Sequence, residues 1–215
     1  MGFKLPNGAT YEHAATYAPP LTVSDISNAT EAVATVTGAT LAVGDIVLVS
    51  SGWTLLSGRV ARVKAATATA ITLEGINTTD TQVYPAKGGV GTLKKVLTWV
   101  PIPQVTDVAP SGGDQNYTTV AFLEDAQGRD VPSDKTPART ALTVADDPAQ
   151  AYVPIVLAAD ASGAVNAVRL NLPGNDKIYY GVCTSWSAQP VVARNAILTR
   201  VITLALQAPI TRYAA

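Results

Sequence analysis

Runs of β-branched and aliphatic residues, each only a few positions long and each cut off by Gly, Pro, Ser or Asn, fill most of this chain. The stretch Gly44–Val63, GDIVLVSSGWTLLSGRVARV, shows the pattern, with two apolar runs turning around Gly52-Trp53 and Ser57-Gly58. Alternation with a period of two, broken by turn residues at short intervals, points to strands of a small barrel or sandwich. The expected strands are Val33–Thr37, Asp45–Ser50, Gly58–Lys64, Ala70–Glu74, Thr92–Val100, Asn116–Glu124, Arg139–Ala145, Ala164–Leu172, Lys177–Trp186 and Asn195–Leu206. The turn PGND joins Ala164–Leu172 to Lys177–Trp186 as a hairpin. Pro101 and Pro103 cannot donate to a sheet ladder, so they mark an edge or bend and a boundary between two parts.

The parts are then an N-terminal arm over 1–20, a β-rich region over 21–100 with an inserted small β subdomain at 38–98, and a core over 101–215. The arm reading rests on Pro6, Gly8, Pro19 and Pro20 and the lack of periodicity, with Tyr11, His13 and Tyr17 as rings that dock on something. Glu124–Ala138 reads as a long polar Gly/Pro loop. The single helix is expected near 147–161, with Asp146 or Asp147 as N-cap, Pro148 in the first turn and Gly163 past the end. Pro154 falls inside it, so the helix restarts or kinks there. Asn195–Leu206 carries aliphatics on both faces and must be covered on both.

Charged residues make up only 14% of the chain, against about 25% in ordinary soluble domains, so neutral faces are expected to be covered by partners. The net charge of −1 argues against a binder that neutralises phosphates. Gly38–Thr98 carries six Lys/Arg and three Asp/Glu, a net of +3, and the remainder a net of −4. Cys183 is the only cysteine, which rules out an intrachain disulfide. The start MGFKLPNGATYEH has no signal-peptide pattern, and no apolar run reaches the ~20 residues that span a bilayer.

Nothing in the inventory assembles into a catalytic, metal or cofactor site. His13 is the sole histidine, which leaves no His-pair metal site, and Cys183 sits mid-strand as a small hydrophobe. Pro85–Lys95, PAKGGVGTLKK, is similar to a phosphate loop but lacks the lysine directly before Thr92 and a following helix. Trp53, Trp99 and Trp186 are scattered, as core or interface residues are.

FKLPNGATYE, LAVGDIVLVSSGWTLLSGRVARV, ITLEGINTTDT, GGVGTLKKV with TWVPIPQV, SGGDQNYTTVAFLED, LTVADDPAQ and APITRYAA together resemble, in order and over nearly the whole chain, the tail tube proteins (major tail proteins) of long-tailed non-contractile bacteriophages, the siphophages. The resemblance implies a mainly β chain, a β-sandwich/barrel tail-tube fold with one flanking α-helix and the small β-barrel-like subdomain inserted. It implies a structural virion protein, not an enzyme, without cofactors. Six copies form a ring, and rings stack into a tube that conducts double-stranded DNA to the host. Its partners are further copies of itself, the tape-measure protein, the tail tip and the tail terminator; it works in the virion tail after assembly in the host bacterial cytoplasm, with no membrane. Contacts between subunits are expected from Phe3, Leu5, Tyr11, Tyr17, Arg129, Asp130, Asp134, Lys135, Arg212 and Tyr213, and lumen-facing groups from Arg169, Asn171 and Asp176. The alternatives are another phage structural protein, a tail terminator or capsid decoration protein, or a carbohydrate-binding β module.

Overall fold

A computed structural model of the chain describes residues 7–124 and 126–214. Six strands close a barrel: β2 (Leu21–Ile26), β3 (Val33–Val36), β4 (Ile46–Ser51), β5 (Val60–Ala66), β6 (Ala70–Leu73) and β7 (Gly91–Ile102). The order is β2-β3-β6-β5-β4-β7, and β7 pairs back onto β2. A six-stranded barrel has a narrow interior, and the residues pointing into it are short and two apart: Ala34 and Val36, Val47 and Val49, Ala61 and Val63, Ile71 and Leu73. Trp53 and Tyr84 pack edge to face, 5.2 Å between centroids, and the Trp53 indole N–H donates to the Pro85 carbonyl at 2.9 Å. The glycine-rich run ahead of Thr92 leads directly into β7. The ring takes in β2 and β3, so its strands begin at Leu21, ahead of the subdomain boundary expected at 38.

β7 is twelve residues long and serves two sheets. Gly91–Lys95 pairs with β4 in the barrel, while Val96–Ile102 pairs with β1 (Thr10–Tyr17). Beyond β1 the order runs β12 (Val165–Asn171), β13 (Lys177–Trp186), β14 (Thr199–Leu206), β11 (Arg139–Ala145) and β8 (Val105–Ser111). β7 and β8 stand at opposite ends of this series, yet only Pro103 and Gln104 join them. Two residues span less than about 10 Å, so the sheet has to curl until its ends approach. The curl makes a sandwich: Tyr11, Ile102, Val168 and Val182 share one core with Leu142, Val144, Ile202 and Leu204.

The helix α1 (Val153–Ser162) packs Tyr152 and Val156 into that core. It ends at Gly163, whose φ of 60° suits a residue without a Cβ and whose N–H reaches the carbonyls of Ala159 and Asp160. The helix start differs from the expected 147. Proline fits the first turn and not the interior, so Pro154 defines the start and produces no kink. Asp147 caps the preceding turn instead, accepting from the Ala149 N–H at 3.1 Å.

Two further expectations are corrected. Within the segment taken as an arm, Thr10–Tyr17 is β1, a strand paired on both sides, with β7 and β12, and with Tyr11, His13 and Ala14 buried; residues 1–6 lie outside the described residues. The segment taken as a loop contains β10 (Arg129–Lys135), which pairs with β9 (Gln115–Val120) in a sheet of its own. The third apolar layer joins barrel to sandwich: Ile46, Leu48 and Val60 face Ala14, Val96, Ala167, Tyr179 and Tyr213. β4 is therefore apolar on both faces because both are covered. At the tightest point a Cβ on Gly181 would fall 1.6 Å from the Gly58 carbonyl oxygen, so only glycine allows this approach.

Candidate assembly surfaces

Several residues expected at subunit contacts are committed within the chain. The Tyr17 hydroxyl accepts the Ala167 N–H at 2.8 Å, and burial pushes its pKa up to about 12. Tyr11 is buried in the sandwich core, and burial raises its pKa too. Tyr213, on β15 (Thr211–Tyr213), donates its hydroxyl to the Glu74 carbonyl at 2.9 Å and accepts the Arg62 N–H at 3.0 Å. The Arg62 guanidinium lies 4.6 Å from the Tyr213 ring centroid and pairs with Glu74. Arg212 is exposed and pairs with Asp176 at 2.6 Å. Phe3 and Leu5 lie outside the described residues.

Of the groups expected in the lumen, Arg169 is mostly buried, paired with Glu12 and stacked 4.6 Å over the Trp99 ring. Asn171 donates to the Thr10 hydroxyl at 3.2 Å, and its buried Oδ1 has no hydrogen-bond partner among the described residues. Asp176 is held by Arg212. The structure thus places these three on the β12–β13 hairpin without leaving Arg169 or Asp176 as an unpaired charge.

The remaining expected residues sit together on the β9–β10 ribbon, where Arg129, Asp130, Asp134 and Lys135 are all exposed. Asp130 accepts from the Thr119 hydroxyl at 2.6 Å, tying the two strands. Asn116 donates to Asp134 at 3.1 Å, and this hydrogen bond, with others, holds the Asp134 carboxyl below its ordinary value. Sequence reasoning missed the apolar members of the ribbon. Tyr117 and Pro132 face one side, Val120 and Val131 the other, and Leu123 beyond β9 is fully exposed at 109%.

Two more surfaces stand out. Among the described residues β8 has a sheet neighbour, β11, on one side only, and it is exposed along most of its length. Where β7 ends and β8 begins, the curled sheet leaves an apolar groove of about 530 Å³, lined among others by Tyr11, Ile102, Val105, Val108, Leu170 and Leu172. Among the described residues no group of three or more His, Cys, Asp and Glu could hold a metal ion, and no helix is long and apolar enough to cross a membrane.

The residues from the end of β4 to the C-terminus are what identifies the chain: the family model described as phage tail tube protein, TTP, matches residues 51–215. The chain belongs to the phage tail tube protein family. No curated protein matches it. Membership makes it a structural component of a bacteriophage tail, one that self-assembles into a tube. The surfaces of interest on a tail tube protein are those that meet other copies, and the described chain offers an open edge, a projecting ribbon and an apolar groove.

Proposed function

We propose that the chain polymerises as stacked rings, six copies to a ring, into the conduit through which double-stranded DNA passes into the host. The observation that carries this reading is the combination, on a member of the tail tube family, of an edge strand and a two-stranded ribbon that the described residues leave uncovered. An open sheet edge is a template for pairing with another chain. A contact between two different patches of identical copies propagates, closing into a ring or continuing as a helix. The tape-measure protein, tail tip and tail terminator are its partners in a siphophage virion assembled in the host cytoplasm, and no catalytic step belongs to this role.

DNA must slide without sticking. The outward face of the curled sheet suits that need: Ser185, Thr203, Ala141 and Ala109 form one row across β13, β14, β11 and β8, and Cys183, Ala205, Arg139 and Ser111 the next. A wall of small, mostly neutral side chains creates no deep electrostatic minimum for phosphates. We take it as the lumen wall in preference to the β12–β13 hairpin, where ion pairs hold Arg169 and Asp176.

Negative-stain electron microscopy of the purified, concentrated protein tests the reading. Long hollow tubes or stacked rings with a central hole are the expected result. Dispersed globular particles, even after addition of tail-tip complex and tape-measure protein, overturn it.

A further inference from the structure

The groove where β7 ends and β8 begins is an opening into the sandwich core. Ile102, Tyr11 and Leu170 are Cα partners in one row across β7, β1 and β12, and this row is its floor. Val105, Val108 and Leu172 add to the lining, and Tyr11 and Ile102 belong to the core itself. Its volume of about 530 Å³ falls in the range of roughly 300–1,000 Å³ that holds small ligands, which is room for two large side chains. Filling it is favourable, because its apolar lining otherwise stays against water.

Residues 1–6 are within reach. Ala9 and Thr10 line the groove, and the described residues begin at Asn7, two positions before Ala9. The six residues MGFKLP span up to about 20 Å when extended, whereas the three strands of the floor cover about 10 Å. Asn7 and Gly8 form a turn, and Gly8 has a φ of 88°, the left-handed value that a reversing turn asks of glycine. Such a turn directs the preceding residues back over β1. That strand is paired on both sides, so a returning segment finds no free edge beside it and meets a face of the sheet. One face at this end is polar, with Thr10, Glu12, Arg169 and Asn171; the other holds the groove. The sequence matches the second face. In an extended FKL, Phe3 and Leu5 share one side and Lys4 takes the other.

We infer that residues 1–6 seat in the groove of their own copy, with Phe3 and Leu5 against Tyr11, Ile102, Val108 and Leu170 and Lys4 turned to water. The occupant is the same chain because a short tether holds the segment at an effective concentration in roughly the millimolar range. The seat closes the open end of the sandwich within one copy and does not depend on the tube reading. It leaves the β8 edge and the β9–β10 ribbon, rather than the groove, open to other copies.

Trypsin tests the seat at the Lys4–Leu5 bond, since a protease cuts the opened form of a segment. Dilute full-length protein is digested briefly, and the loss of residues 1–4 is followed by mass spectrometry. Each rate is divided by that of a free peptide of the same sequence. Phe3→Ser with Leu5→Ser is expected to be cut at least about tenfold faster than wild type. Val108→Asp, on a partly exposed residue of β8 far along the chain from the cut, is expected to do the same. Circular dichroism of both variants should match wild type. Resistance retained by either variant overturns the seat, and so does a wild-type bond cut as fast as the variants'. Seating within one copy is independent of concentration, so protection should survive about a hundredfold dilution. Protection that fades on dilution would show a second copy in the groove and overturn the inference.

Discussion

His13 shows what a single residue does when function does not claim it. It is 1% exposed, in the middle of β1, and both ring nitrogens are occupied. The Ala14 carbonyl lies 2.7 Å from Nδ1 and can only accept, so Nδ1 carries the proton and Nε2 accepts from the Thr184 hydroxyl at 3.2 Å. Burial disfavours the imidazolium and lowers the pKa from its ordinary value of 6.5. The folded state therefore resists a proton that the unfolded chain accepts. The resulting stability is fully present above pH 6.5 and is lost as the pH falls from there through the folded pKa. His13→Gln retains a side-chain donor without a titrating group. Urea unfolding at about pH 7.5 and about pH 5 is expected to show a larger loss for the wild type than for the variant. Equal losses would mean that other groups set the acid response.

Among the elements, β15 is three residues long and still fixes the relation of barrel to sandwich. It pairs with β13 on the sandwich, while Thr211 donates to the Val60 carbonyl at 2.5 Å and Tyr213 bridges Glu74 and Arg62 on the barrel. Tyr213→Phe keeps the ring and its packing on Tyr179 but leaves a barrel carbonyl and a barrel N–H unpaired. The expected loss is about 1–3 kcal/mol in denaturant unfolding. Faster proteolysis where the barrel joins the sandwich is expected with it. Such a role was not legible in APITRYAA, because it depends on what the end of the chain meets. Strands with a core to face were legible: Lys177–Trp186 and Arg139–Ala145 coincide with β13 and β11. β1 was not, because bulges around Thr16 break its alternation and prolines crowd its ends. β10 was not, because a strand without a core need not alternate, and RDVPSDK reads as loop. The charged members of the ribbon could be picked from sequence. The groove could not, since its lining comes from β1, β7, β8 and β12, far apart in the chain.

At the scale of the whole molecule, scarcity of charge and shape act together. Only 14% of residues are charged, and six ion pairs hold a share of those within the described chain. What remains on the outward face of β13, β14, β11 and β8 is mostly Ser, Thr and Ala, with Lys177, Arg139 and Asp107 as its charges. If that face is the lumen wall, symmetry repeats every substitution around each ring and along the tube. Thr203→Lys would then line the conduit with rings of positive charge that attract the phosphates of passing DNA. Such attraction weakens steeply as salt rises, through screening and counterion release. Phage particles built with Thr203→Lys should therefore form tails of normal length but eject DNA more slowly than wild type at low salt, with the difference shrinking as salt is added. Thr203→Ser, which adds no charge, should eject at the wild-type rate throughout. Ejection followed by fluorescence of a DNA-binding dye separates the outcomes: a Lys variant that matches wild type at every salt concentration would show that DNA does not pass this face, and the wall would have to be sought on another side of the sheet.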